Sequence, residues 1–184
     1  MQYLEEKVES PYQVTDLPRE EVMERIYSLD LDCVKFKLMD SKEGPGWSRD
    51  KAEMVETHYK RFLYMSVTEG TSIVPTKDID AFWHNHILDT HKYASDCENS
   101  FWFFLHHFPY LGMRGEEDVK RLQSSFENTR RVYERQFGEM YGTDANDCEN
   151  CGNCTSSCGV CDSSGSRSSE GSGLRPTLPS LEDE

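Results

Sequence analysis

The chain has 184 residues, a length that suits one domain with a core plus an appended segment. Hydrophobic residues at 36% and aromatics at 11% exclude a wholly disordered chain, and a formal net charge of −14 disfavours nucleic-acid binding, because it repels a phosphate backbone. No stretch reaches the ~18 apolar residues of a membrane span, and the charged opening MQYLEEKVES has no apolar run, so neither a membrane segment nor a secretory leader is expected and a cytoplasmic location is the default.

Asp16 and Pro18 are placed to cap and start a first helix, with Val22, Ile26 and Leu29 on one face. Cys33 to Met39 (CVKFKLM) alternates in polarity, which suits a short strand or an extended connector. Gly44-Pro45-Gly46 then interrupts the chain. Ser48 is a cap for a helix from Arg49 to about Met65, in which Ala52, Val55, Tyr59 and Phe62 recur at helical spacing. Thr76 caps a further helix predicted to run to about Cys97, and Asp78 and Asp80 in its first turn suit the helix dipole. SFWFFLHHFPYLG, residues 100–112, is the most apolar stretch and fits a buried short helix or a strand. Glu116 to Phe137 is an amphipathic helix with Val119, Leu122, Phe126, Thr129, Tyr133 and Phe137 on one face, ended by Gly138. Its basic run TRRVYER, Thr129 to Arg135, reads as a solvated helix face. The expected fold is all-α: a single compact domain of about five helices over residues 1–141, with a flexible Cys/Gly/Ser-rich acidic tail over residues 142–184. That tail carries 8 acidic and 2 basic residues, a charge of −6, which leaves −8 for the rest.

Five of the six histidines lie between His84 and His107, and three of them fall in DIDAFWHNHILDTHKY, residues 78–93. On a straight helix, Phe82, Tyr93, His86, Cys97, Thr90, Trp83, Ala94 and Ile87 share a buried arc, while Ala81, Asn85, Asp89, Lys92 and Asp96 face solvent. Asp80, His84 and His91 form a stripe beside that arc. A carboxylate and an imidazole at i, i+4 can chelate one divalent ion or hydrogen-bond each other. His84 and His86, two residues apart, diverge, so one ion takes only one of them. The adjacent His106 and His107 also point apart, so one of these completes a two-histidine, one-carboxylate set suited to iron(II) or zinc.

The candidate ligands are therefore Asp80, His84, His86, Asp89, His106 and His107, supported by Trp83, Thr90, Tyr93 and Cys97. Against this stands the plainer reading of each histidine as a hydrogen-bonded core residue, or of His86 and His107 as a buried pair with Cys97. His58 reads as structural or surface, and Cys97 as a small buried hydrophobe. No nucleophile sits on a recognisable elbow, and no glycine loop cradles phosphate.

VPTKDIDAFWHNHILDTHKYASDC followed by FLHHFPYLGMRG resembles the glycine-rich domain-containing protein-like family, over about Val34 to Gly138. The resemblance implies a helical domain whose molecular activity is not established. It carries over onto Asp80, Trp83, His84, His86, Asp89, Thr90, Tyr93, Cys97, His106, His107 and Pro109, but not onto His91. A short Cys/Gly/Ser segment stands where the family has a long glycine-rich region. RNA binding enters through the family alone, since some members carry RNA-binding-like segments elsewhere.

In that segment Cys148, Cys151, Cys154 and Cys158 have the C-x2-C-x2-C-x3-C spacing of a ferredoxin cluster loop, and Cys161 adds a fifth thiol. Only Val160 offers apolar cover and no second run exists, so an iron–sulfur cluster is disfavoured against soft-metal binding or a plain thiol-rich tail. The leading expectation is a helical metal-binding domain, with a metalloenzyme of unknown small-molecule substrate as its extension. The alternatives are a non-catalytic protein-interaction module whose histidines are structural, and metal binding through the tail cysteines.

Overall fold

The computed structural model describes residues 13–142. The segment holding Cys148, Cys151, Cys154, Cys158 and Cys161 lies outside the described residues, and the expectations attached to it stay as stated. The described residues form six helices and no strand: α1 (Arg19–Tyr27), α2 (Asp32–Met39), α3 (Arg49–Thr68), α4 (Lys77–Leu88), α5 (Thr90–Phe101) and α6 (Glu116–Phe137). The fold is all-α as expected, with one helix more than the sequence suggested. The chain divides after Leu105 into two units.

In the first unit α3 packs against α1, α2 and α4, while α5 packs on α4 and α1. Ser48 opens α3 as predicted, its side chain accepting from the Lys51 N–H at 3.2 Å. Ala52, Val55, Tyr59, Phe62 and Leu63 are buried along it, each large side chain contributing about 1.5–3 kcal/mol. Pro18, not Asp16, is the N-cap of α1, and no side chain caps that helix. Its buried residues are Val22 and Ile26.

The strand or connector expected over Cys33 to Met39 is instead α2. The alternation of Val34, Phe36 and Leu38 is misleading, because Phe36 is 76% exposed. The buried set is Leu31, Val34 and Leu38, at i, i+3 and i+7, which is helical spacing. Gly44 closes the turn that follows, donating its N–H to the Asp40 carbonyl at 3.0 Å. A Cβ there would sit 2.1 Å from the Lys37 carbonyl oxygen, so the backbone crosses too closely for any side chain.

The helix expected from Thr76 to about Cys97 is two helices. Thr76 does cap the first, accepting from the Ile79 N–H at 3.3 Å. At Asp89 the backbone leaves helical geometry (φ −83°, ψ 76°), and the Asp89 carboxylate caps α5 by accepting from the Lys92 N–H at 3.3 Å. The wheel drawn through both halves therefore loses its phase. Phe82, Trp83, His86, Tyr93 and Cys97 are buried as expected, whereas Thr90 and Ala94 are exposed. Residues 100–112 form neither a strand nor a separate helix: α5 ends at Phe101, and Trp102 takes a left-handed C-cap conformation at φ 69°.

The second unit is described from His106 to Gly142. Its α6 has the bounds expected from the sequence, and Gly138 ends it at φ 67°. Tyr133 lies against Phe137 and Tyr141, ring centroids 4.9 Å apart in each case. The basic run on α6 exposes Arg130, Arg131 and Arg135 while burying Val132 and Tyr133. The loop before α6 is tied by Asp118. One carboxylate oxygen accepts from the Gly112 N–H at 2.7 Å, and the pair grips the Arg114 guanidinium at 2.6 and 3.1 Å. Burial raises the Asp118 pKa, but Arg114 and the Gly112 N–H outweigh it and hold the carboxyl below its usual value.

Candidate metal centre

Helix α4 presents Asp80 and His84 one turn apart, so their side chains meet. His84 Nε2 lies 3.5 Å from Asp80 Oδ2. Asp80 is half-buried and His84 exposed. The other segment comes from beyond α5. The Leu105 carbonyl accepts the Tyr93 hydroxyl proton at 2.6 Å, and the same hydroxyl accepts from the Trp83 indole N–H at 2.9 Å. His107 follows Leu105 by two residues. One ligand atom from each of Asp80, His84 and His107 lies within 4.8 Å of the others.

The structure thus brings three of the six candidate ligands together, two imidazoles and one carboxylate. Ligand atoms on a shared zinc or iron, each about 2.0–2.2 Å from it, stand roughly 3.0–3.5 Å apart. The Asp80–His84 separation already lies at that distance.

The other candidates are placed elsewhere. The ligand atoms that lie within 4.8 Å of one another include neither His106 nor His91, both of which are exposed. Asp89 serves as the corner between the helices. His86 is only 1% exposed and both its nitrogens are engaged, Nδ1 with the Tyr59 hydroxyl at 2.9 Å and Nε2 with Asp96 Oδ2 at 2.9 Å. A buried pair of His86 with His107 and Cys97 is therefore not what holds it. Burial pushes the His86 pKa down, partly offset by Asp96. A neutral ring fits the surroundings: Nε2–H donates to the carboxylate while Nδ1 accepts from Tyr59. Burial likewise raises the Tyr59 phenol well above its ordinary value and keeps its proton on oxygen. Lys92 closes the chain by pairing with Asp96 Oδ2 at 2.9 Å.

Tyr59 and Asp96 were not legible as partners of His86. Tyr59 showed only as a core position of α3, and Asp96 fell on the solvent side of the straight wheel. The one signal was the i, i+4 pair Lys92–Asp96 on α5. Of the supporting residues, Trp83 and Tyr93 bond each other, and Thr90 stands exposed at the start of α5. Cys97 is buried as expected, its thiol pushed up by burial and so not activated. His58 is buried within α3.

A family model described as UCP032817-like matches residues 23–136. The chain is also similar to Glycine-rich domain-containing protein 1 of Arabidopsis thaliana, with 26% identity over 151 residues that cover 72% of this chain. It spans only 18% of that relative's length. No solved structure matches the chain. The matched stretch takes in α2 through α5 whole, with the paired Asp80 and His84 and with His107, and most of α6; over more than half its length the chain belongs to the UCP032817-like family.

Proposed function

We propose that this chain is a divalent-metal-binding helical domain in which Asp80, His84 and His107 hold zinc or iron(II). The approach of their ligand atoms to within 4.8 Å of one another carries the reading. Two imidazoles and a carboxylate are the donor set these ions prefer, and three protein ligands leave coordination positions for water or a substrate. His84 is exposed, which gives such a substrate access. As an enzyme the domain would act through metal-activated water or through a metal-bound substrate.

The test is metal titration of the full chain with Cys148, Cys151, Cys154, Cys158 and Cys161 all changed to serine. Cobalt(II), a spectroscopic stand-in for zinc, should bind with a stoichiometry of about one. His84→Ala and His107→Ala should each lower its affinity at least ~10-fold, and His91→Ala, at an exposed histidine outside the set, should leave it unchanged. Binding that disappears with the cysteines would transfer the function to the tail. A protein that takes up no metal in either form would sink the proposal.

A second reading is a protein-interaction module. It is favoured by the large apolar side chains that the first unit exposes, Phe36, Leu88 and Trp102. On that reading the engaged His86 stands for the other histidines, and none of them binds a metal.

A further inference from the structure

We infer that Tyr93 is the positioning residue of the proposed metal site: its hydroxyl clasps the Leu105 segment to α4 and so fixes His107 beside His84. The inference rests on the metal-binding reading for its function, but the clasp itself can be measured without metal.

The Tyr93 hydroxyl sits between the two ligand-bearing segments and bonds to both. It accepts from the Trp83 indole, the residue next to His84, and donates to the carbonyl of Leu105, two residues before His107. Neither bond can be shed cheaply. Tyr93 is 1% exposed and Trp83 is buried, so a lost partner leaves a polar atom away from water. The phenol cannot swing aside, because its ring is held edge-on against His86 at 5.0 Å and Phe104 at 5.1 Å.

Nothing else in this stretch gives the chain regular structure. Residues 102–108 belong to no helix or strand, so no repeating backbone ladder fixes where His107 falls. A ligand on irregular backbone needs its support from side chains behind it. The corner at Asp89 is what makes that support available. It turns α5 back so that Tyr93 faces Trp83, ten residues earlier, which a straight helix would not allow.

The experiment compares Tyr93→Phe, Trp83→Phe and Tyr59→Phe in the full chain with the five tail cysteines changed to serine. Tyr59→Phe is the control: it also removes a buried hydroxyl, but one bonded to His86. Without metal, amide hydrogen exchange is read over residues 104–108. Tyr93→Phe should speed exchange there at least ~10-fold, Trp83→Phe by less, and Tyr59→Phe should leave it as in the parent. With cobalt(II), Tyr93→Phe should weaken binding ~10-fold or more while Tyr59→Phe keeps the parent affinity. Parent-like exchange and affinity in Tyr93→Phe would overturn the inference. So would equal losses in Tyr59→Phe, which would make the effect one of general stability. If the parent takes up no cobalt, the metal reading fails on its own, and the exchange comparison still decides whether Tyr93 holds the segment.

Discussion

His86 shows how one side chain can be removed from chemistry by its neighbours. Its ring is saturated by Tyr59 and Asp96, so its value is structural. Tyr59→Phe, which leaves Nδ1 without a donor, should cost about 1–3 kcal/mol. His86→Ala, which strands both partners and opens a cavity, should cost about 2–4 kcal/mol. Urea denaturation of the two variants checks both figures and their order. Asp118 makes a different prediction. Its folded pKa lies below the unfolded value of about 3.9, so it contributes stability above that pH and loses it as pH falls through the folded pKa. Asp118→Asn should therefore lower stability at neutral pH and flatten the pH dependence of unfolding below about pH 4.

At the scale of elements, the corner between α4 and α5 is the decisive feature. Asp89→Ala removes the α5 cap and should cost about 1 kcal/mol, with faster amide exchange in the first turn of α5. Helices α3 and α6 were legible because each has a strong apolar stripe and a clear terminator or cap: Ser48 before one, Gly138 after the other. Helix α2 was misread because Phe36, an exposed aromatic, completes a false alternation between Val34 and Leu38. The corner itself was invisible. It contains no glycine or proline, and an aspartate within a helical pattern carries no stop signal until its own cap bond is seen. Once the corner was missed, Asp96 fell on the wrong side, and the partner of His86 could not be named. The Asp80–His84 pair survived the error because it lies wholly within α4. The choice of His107 over His106 needed the path of the irregular segment, which no periodicity encodes.

For the whole molecule, the proposed metal predicts linkage between binding and stability. Zinc at ~100 times its dissociation constant should stabilise the folded chain by about 2.7 kcal/mol, a shift that a chelator reverses and that a ~10-fold weaker His84→Ala cuts to about 1.4 kcal/mol at the same zinc concentration. The net charge of −14 argues against an RNA partner: single-stranded RNA should show negligible binding even at about 50 mM salt, where electrostatic attraction is strongest. Among the described residues no helix is long and apolar enough to cross a membrane.

The single-residue junction at Asp89 leaves no slack. Adding or deleting one amino acid in the first turn of α5, between the Asp89 cap and Tyr93, would turn the rest of α5 by roughly 100° about its axis relative to that cap. Tyr93 and Asp96 would then be carried off their partners in one stroke. Relatives of this chain should accordingly keep a fixed count from Trp83 to Leu105.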